Sequence, residues 1–367
     1  MSNENFLLNK PLKMNSHAKV NFFLDVIKKM PDGYHEIATV FSTLELSDTL
    51  SFYFTKNEYS ADYILKLFKL GFKKPVSGVV NLLNENVKVT MISDDDNEKC
   101  FSVPLDNTNT LLIAVKKFFS CVPFKKLEEL HNLYIVFQKN IPAGAGLAGG
   151  SSNAACAIRA LNYLLGYNME SEQLRMIASA TGADVAFLLE GGCAYCGNAG
   201  DQIISFYDPP VYPMVLVYPN FEVSSRDAYN NVANHVKYNL SELSGQAEEK
   251  VRDAVGRRIG NLVEALVTPN YEKLSKFLYN KLEEPVFNRK HQIRELKDTL
   301  IQMGYPVTMM SGSGSTVYTL LDPGESEESL GMHLERIQTE MHRKFSKTYK
   351  VILTRTRKAI GWDKMLL

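Results

Sequence analysis

Between Asn140 and Leu165 the chain reads NIPAGAGLAGGSSNAACAIRALNYLL, with Gly144, Gly146, Gly149 and Gly150 inside seven positions and an apolar helical repeat directly behind them. Backbone this rich in glycine turns tightly and lets a ligand come close, and a helix that follows it points its unpaired first N–H groups at whatever lies in front. A strand, a glycine loop and a helix therefore have to sit in line. Gly144, Gly146 and Gly149 also match the G-x-G-x-x-G spacing of dinucleotide sites. That fingerprint needs its strand to run straight into the first glycine, and an acidic residue about 20 positions on at the end of a second strand. Here Gln138 to Ala143 intervene, and Glu170 opens a helix instead. The Walker spacing fails as well, because Ser151 follows Gly150 with no lysine between them. What remains is an anion cradle made of backbone amides and small hydroxyls at the positive end of a helix dipole. The competing reading is a glycine turn that only lets the helix pack closely.

A chain of 367 residues exceeds what one hydrophobic core usually holds, so two domains are expected, with the break near residue 210. Its 41 basic and 41 acidic side chains leave no positive surplus for nucleic acid, so small-molecule chemistry is favoured. No apolar run approaches the roughly 18 to 20 residues of a membrane helix, and the start MSNENFLLNKPLKMN lacks the apolar core of a secretory signal. The five cysteines, an odd number, point to a reducing compartment. A cytoplasmic location is expected, or a plastid stroma where a transit peptide precedes the chain. Cys193 and Cys196 form C-x-x-C without the strand-to-helix context of a redox pair or further zinc ligands, and read as small buried residues.

Periodicity orders the rest. Alternation at Val20, Phe22 and Leu24, a Pro31-Asp32-Gly33 turn and a second run from Ile37 to Leu46 predict a β-rich beginning. Residues 55–87 break that rhythm and read as a surface insertion away from Asp184, with a solvated turn after it at Asp94 to Lys99. A helix over Leu111 to Val122, a buried strand over Leu133 to Phe137, the helix behind the glycines and a helix closed by Gly182 complete the first half. Pro213 to Pro219 reads as a strand opening the second half. Helices are predicted there at Glu248 to Leu266, Tyr271 to Tyr279, His291 to Gly304 and Glu325 to Phe345. A strand, glycine turn and strand lie in YPVTMMSGSGSTVYTLL, and YKVILTRT is the last strand. The class is α+β.

On these residues the chain resembles a known family. PAGAGLAGGSSNAA is similar to the phosphate loop of the GHMP small-molecule kinases. AKVNFFLDVIKKMPDGYHEIATVFSTLELSDTL (Ala18 to Leu50) and TGADVAFLLEGGCAYCGNAGDQI (Thr181 to Ile203) resemble the branch that phosphorylates 4-diphosphocytidyl-2-C-methyl-D-erythritol, and MMSGSGSTVYTLL resembles the third family motif. The resemblance spans about residues 17 to 357 in family order. It implies two domains, residues 1–209 with an α/β unit of the ribosomal-protein type and residues 210–367 with a ferredoxin-like α+β unit, and ligands in the cleft between them. It implies ATP with Mg²⁺, a cytidine diphosphate methylerythritol substrate, and a monomer or homodimer.

The resemblance also implies roles. Asp184 would be the general base and Lys19 its partner, an arrangement the chemistry asks for: an alcohol attacks phosphorus as its proton passes to a carboxylate, and an ammonium offsets charge on the transferring group. Pro142, Ala143, Gly144, Ala145, Gly146, Leu147, Ala148, Gly149, Gly150, Ser151, Ser152 and Asn153 would hold ATP. Tyr34 and His35 would meet the cytosine, a base that an aromatic face can stack on and an imidazole can bond at its edge. Taken alone, DGYH reads as a turn with a buried tyrosine and an exposed histidine. Asn21, two residues after Lys19 on the same strand face, would point at the diol. Thr181, Gly312, Ser313, Gly314 and Ser315 would complete the substrate pocket. Three positions depart from the family pattern: Ala148 for a usual Gly, Ala186 for a usual Pro, and Lys281 for a usual Asp. A β-carbon at position 148 is expected to require a negative φ. Another GHMP kinase activity, or a catalytically silent binder on the same fold, stays open at this point.

Overall fold

A computed structural model describes residues 9–82, 86–94, 103–122, 131–232 and 246–359. Two long antiparallel strands, β1 (Leu12–Lys29) and β2 (His35–Thr55), form its spine. They turn where the sequence puts Pro31, Asp32 and Gly33: Gly33 adopts φ 90°, and Asp32 Oδ1 accepts Tyr34 N at 3.0 Å. Register shifts after His17, Asn21 and Val26 kink β1. Simple alternation is lost there, and every residue from Ala18 to Leu24 is buried, on both faces of the strand.

The larger sheet continues with β3 (Pro75–Leu82), β4 (Val87–Asp94) and β5 (His131–Gln138) in the order β3-β4-β5-β2-β1. A side branch of β6 (Cys193–Gly197) and β7 (Gln202–Tyr207) pairs onto the first half of β2. One face is covered by α2 (Thr110–Cys121), α3 (Gly149–Leu164), α4 (Ser171–Thr181) and α5 (Ala183–Glu190). Small residues let α3 lie close in this layer; Ala154, Ala157 and Ala160 are fully buried beside Phe118 and Phe137. Cys193 and Cys196 are free and buried in β6, and burial pushes the Cys193 thiol up to about 12. That agrees with a structural reading of the pair.

The insertion is not a plain surface loop. Residues 61–67 form α1 (Ala61–Leu67), capped by Ser60, whose hydroxyl accepts Tyr63 N, and β3 adds an edge to the main sheet. Ile64, Leu65 and Phe68 pack on Tyr53, Ile92, Tyr134 and Val136, covering the sheet face opposite α2 to α5. The sequence pattern was weak because β3 is exposed over most of its length and α1 is short. Residues 83–85, and 95–99 of the expected turn, lie outside the described residues.

After Pro213 the chain builds a second sheet from β8 (Pro213–Tyr218), β10 (Thr308–Met310), β11 (Val317–Leu320) and β12 (Lys350–Arg355). All its neighbours are antiparallel in the order β10-β11-β8-β12, the ferredoxin-like arrangement. Its helices are α6 (Ser225–Val232), α7 (Gln246–Val267), α8 (Tyr271–Phe277), α9 (Glu283–Arg289), α10 (His291–Gln302) and α11 (Glu327–Lys344). Between α8 and α9, β9 (Tyr279–Asn280) crosses back to pair in parallel with β1. The halves share a core in which Ala18, Val20 and Phe22 of β1 meet Met214, Leu216, Leu262 and Tyr318, and the Tyr318 hydroxyl donates to Asn21 O at 2.8 Å. Among the described residues no helix is long and apolar enough to cross a membrane.

Candidate active site

Where the two halves meet, a cavity of about 780 Å³ runs from the glycine loop, past Lys19 and Asp184, to the β1–β2 turn. Lys19 is on the inner face of kinked β1. Its backbone N–H donates to Leu147 O at 3.1 Å, which ties the strand to the glycine loop. Its side chain is 5% exposed, lies 4.9 Å over the Phe41 ring and donates to Asn21 Oδ1 at 3.0 Å. Asp184 is the second residue of α5, a helix hidden from periodicity because Val185 to Leu189 are all buried. Its Oδ2 is 3.6 Å from Lys19 Nζ, and its side chain is 33% exposed toward the cavity. The pair is thus an enclosed ammonium beside a reachable carboxylate.

Asn21 lines the cavity with its amide half engaged: Oδ1 accepts from Lys19 at 3.0 Å and Nδ2 donates one hydrogen to Thr39 Oγ1 at 2.8 Å. In this arrangement it holds Lys19 and keeps one N–H and one lone pair beyond these two bonds.

The glycine loop meets the cavity through Pro142, Ala143, Gly144, Ala145, Gly146, Ala148, Gly149, Gly150, Ser151 and Asn153. Leu147 and Ser152, also expected at the ligand, do not line it. Leu147 is buried, and the Ser152 hydroxyl donates to His17 O at 2.7 Å and accepts from Ser16 Oγ at 2.8 Å, pinning α3 to β1. Ala148 departs from its expected negative φ. It adopts φ 56° and ψ 34° as the residue before α3, a left-handed conformation that an L residue holds at a cost of about 1–2 kcal/mol. Gly146 is crowded by protein: a β-carbon there would lie 2.1 Å from Ser311 O. Gly150, in contrast, would place a β-carbon no nearer than 3.8 Å from Thr110 Oγ1, an ordinary contact distance, in the first turn of α3, which has no side-chain cap.

Two supports of this end were not foreseen. Lys139 forms a buried ion pair with Asp48, whose Oδ1 also accepts Asn140 N at 2.8 Å and Ile141 N at 2.9 Å, fixing the path into the loop. Asn109 caps α2 by accepting Leu111 N at 2.9 Å and lines the wall with Pro104, Thr108 and Thr110. The only visible trace was the DNTNT cluster ahead of a helical repeat.

At the far end Tyr34 is 66% exposed and His35 8%, the reverse of the turn-based expectation. His35 stacks on Tyr229 of α6 with centroids 5.7 Å apart and planes at 26°, and burial followed by the Lys29 charge lowers its pKa. Ser225, Arg226, Tyr229 and Asn230 make this wall, all on a helix whose polar sequence hid it. The hairpin is held to α7 by Lys28–Glu248 at 2.8 Å and by Arg252 on Glu36.

The third motif contributes Gly312 and Ser313, and Ser313 Oγ is 2.8 Å from Ser225 Oγ. Gly314 and Ser315 are turned away, Ser315 being fully buried with its hydroxyl on Phe221 O. Thr181 stays inside α4, donating to Ile177 O at 2.8 Å, and does not line the cavity. Of the two remaining departures, Ala186 is buried in α5, and Lys281 donates its backbone N–H to Leu24 O at 2.8 Å while its charge faces Asp25, away from the ligand space.

The profile of the "GHMP kinases N terminal domain" matches residues 109–192 and that of "GHMP kinases C terminal" matches residues 262–331. The chain is 28% identical over 307 residues to a 4-diphosphocytidyl-2-C-methyl-D-erythritol kinase of Clostridium botulinum (strain Langeland), covering 84% of this chain and 90% of that one. It is 29% identical over 306 residues to the enzyme of the same name from Enterococcus faecalis, covering 83% and 88%. A crystal structure of 4-(cytidine 5'-diphospho)-2C-methyl-D-erythritol kinase superposes with a TM-score of 0.62 at 22% identity, covering 95% of this chain and all of that one. The mevalonate kinase of L. major with R-mevalonate also reaches 0.62, at 13% identity, so the fold is shared well beyond one substrate. With both domain profiles in order, a two-domain α+β fold and a lysine–aspartate pair beside a glycine loop, the chain carries the N- and C-terminal GHMP kinase domains and is a small-molecule kinase.

Proposed function

We propose that this kinase moves the γ-phosphoryl group of ATP to the 2-hydroxyl of 4-diphosphocytidyl-2-C-methyl-D-erythritol in isoprenoid precursor synthesis. The observation that carries this reading is the position of the Lys19–Asp184 pair, 3.6 Å apart, between a glycine loop on one side and Tyr34, His35 and Tyr229 on the other. A pyrimidine fits the second end, where an exposed tyrosine offers a face and a buried imidazole an edge. The relatives' printed names supply the substrate. Asp184 accepts the hydroxyl proton as the substrate oxygen bonds to phosphorus and the bond from phosphorus to ADP breaks. Lys19, held by Asn21 and Phe41, supplies fixed positive charge next to the transferring group.

The nucleotide phosphates rest on the amides of residues 144–151, with Gly150 and Ser151 at the start of α3. In this reading a Mg²⁺ ion comes in on the ATP phosphates. When bound, that ion neutralises phosphate charge. Residues 1–209 and 210–367 are the two domains in this reading. The test is ATP consumption with the cytidyl substrate beside mevalonate, homoserine and galactose. Turnover with the first alone supports the proposal, and a preference for any of the others overturns it.

A further inference from the structure

The third-motif loop passes close enough to the reacting pair to set its geometry. A β-carbon built on Gly312 would lie 3.5 Å from Lys19 Nζ, 3.5 Å from Asn21 Oδ1 and 3.1 Å from Gly146 O. The loop is also tied to the glycine loop, with Ser311 Oγ donating to Gly146 O at 2.9 Å and Thr316 N to Ala145 O at 3.2 Å. Its position therefore bears on both Lys19 and the ATP cradle. The residue that fixes this loop comes from elsewhere in the chain. Asn280 of β9 is 4% exposed, and its Nδ2 donates to Met310 O at 2.8 Å and to Gly312 O at 2.7 Å. Its Oδ1 accepts Leu282 N at 2.9 Å, so both N–H donors are spent and the oxygen is engaged as well. Glu283 completes the grip. Its Oε1 accepts Met310 N at 2.9 Å, and it is ion-paired with Lys297 of α10 at 2.6 Å. Asn280 also sits opposite Leu24 in the β1–β9 pairing, on the strand that carries Lys19 and Asn21.

We infer that Asn280 is a positioning residue for phosphoryl transfer: by holding Met310 O and Gly312 O it presses the third-motif loop against Lys19 and the glycine loop. Only a side chain with two N–H donors and one acceptor can do this without leaving a carbonyl unpaired. Aspartate has the same shape and keeps the Leu282 contact, but turns an acceptor toward two carbonyls. Alanine leaves both carbonyls bare. In either case the loop moves by a fraction of an ångström to about 1 Å, and misplacement on that scale costs up to about 10²-fold in rate. The loss belongs in kcat, because the loop lies beside Lys19 and sets the space around it in the transfer step, while Tyr34, His35 and Gly150 still bind their ligands.

This inference rests on the kinase reading above, and the experiment separates the two. Full-length wild type, Asn280→Asp, Asn280→Ala and Ile337→Ala are compared at a temperature well below every melting midpoint. Ile337→Ala removes a buried side chain of α11 and serves as the stability control. The expected result is a 10- to 100-fold loss of kcat with KM for ATP and the cytidyl substrate within about threefold for both Asn280 variants. The control should keep wild-type kcat. Hydrogen exchange on the ligand-free proteins should show faster exchange at residues 310–316 and 144–147 in the Asn280 variants alone. Wild-type kcat in Asn280→Asp, or an equal loss in Ile337→Ala, overturns the inference. A wild-type chain that leaves the cytidyl substrate untouched overturns the proposed function, and the exchange data then decide the loop clamp: unchanged exchange at both segments refutes it.

Discussion

Two glycines four residues apart should respond to the same substitution in opposite ways. A β-carbon at Gly146 would sit 2.1 Å from Ser311 O and 2.9 Å from Gly314 O, and φ there is +75°. An ordinary carbon–oxygen contact is about 3.3 Å, so the two loops must part by about 1 Å. That motion breaks the bonds from Ser311 Oγ to Gly146 O and from Thr316 N to Ala145 O, at about 1 kcal/mol each. The left-handed conformation adds about 1–2 kcal/mol. Gly146→Ala should thus destabilise the ligand-free protein by about 3–4 kcal/mol, a fall in Tm of roughly 10 °C. Gly150 has no positive φ, and a β-carbon there would meet Thr110 Oγ1 at an ordinary contact distance of 3.8 Å. Gly150→Ala should leave the free protein unchanged or stabilise it by about 0.4–1 kcal/mol, yet weaken ATP about tenfold, since the methyl fills space meant for phosphate. Thermal and urea unfolding with and without ATP read both effects. A Gly146→Ala protein that melts with wild type, or a Gly150→Ala protein that binds ATP as wild type does, would refute this account of the loop.

Burial, followed by the Arg357 charge, lowers the His17 pKa from 6.5 to about 4, and in its neutral form Nδ1–H donates to Leu44 O at 3.0 Å. The unfolded chain takes up this proton first, so stability is full above pH 6.5 and is lost as pH falls from 6.5 toward 4, by at most about 3 kcal/mol. Urea titrations across that window should show the slope, and His17→Gln should flatten it. Lys139→Met leaves Asp48 fully buried without its counter-ion and should cost about 3–5 kcal/mol in chemical denaturation. Replacing residues 56–73 by a short linker uncovers Tyr53, Tyr134 and Val136; stability should fall by about 2–4 kcal/mol while kcat of the folded protein stays within tenfold. A stable but inactive deletion would show that the insertion serves catalysis.

The glycine loop, the α3 repeat and the proline-bounded β8 could be read in the sequence because each is set by local rules: positive φ, helical spacing, a missing donor. Lys19, Asp184, Tyr34 and His35 were legible only through family resemblance, and the chain brings them to one cavity. Local reasoning failed where tertiary packing decides. α5 is apolar nearly all round and shows no stripe, whereas α6 is polar and is held by Ala228 and Val232. Ser152 and Ser315 carry hydroxyls that the sequence offers to a ligand and the fold uses for itself. The Asp48–Lys139 pair and the Asn280 clamp join positions 91 and more than 30 residues apart, a separation that no pattern of spacing reveals.

The central claim is that Asp184 takes the proton and Lys19 acts with it as a unit. Single-turnover phosphoryl transfer at saturating ATP, Mg²⁺ and cytidyl substrate, measured for wild type, Asp184→Asn, Lys19→Met and the double variant, tests it most directly, with calorimetry confirming that both ligands bind. The account predicts a loss of about 10² to 10⁴ for Asp184→Asn, a large loss for Lys19→Met, and a double variant far above the product of the two. A folded, ligand-binding Asp184→Asn protein that transfers phosphate at the wild-type rate would contradict it.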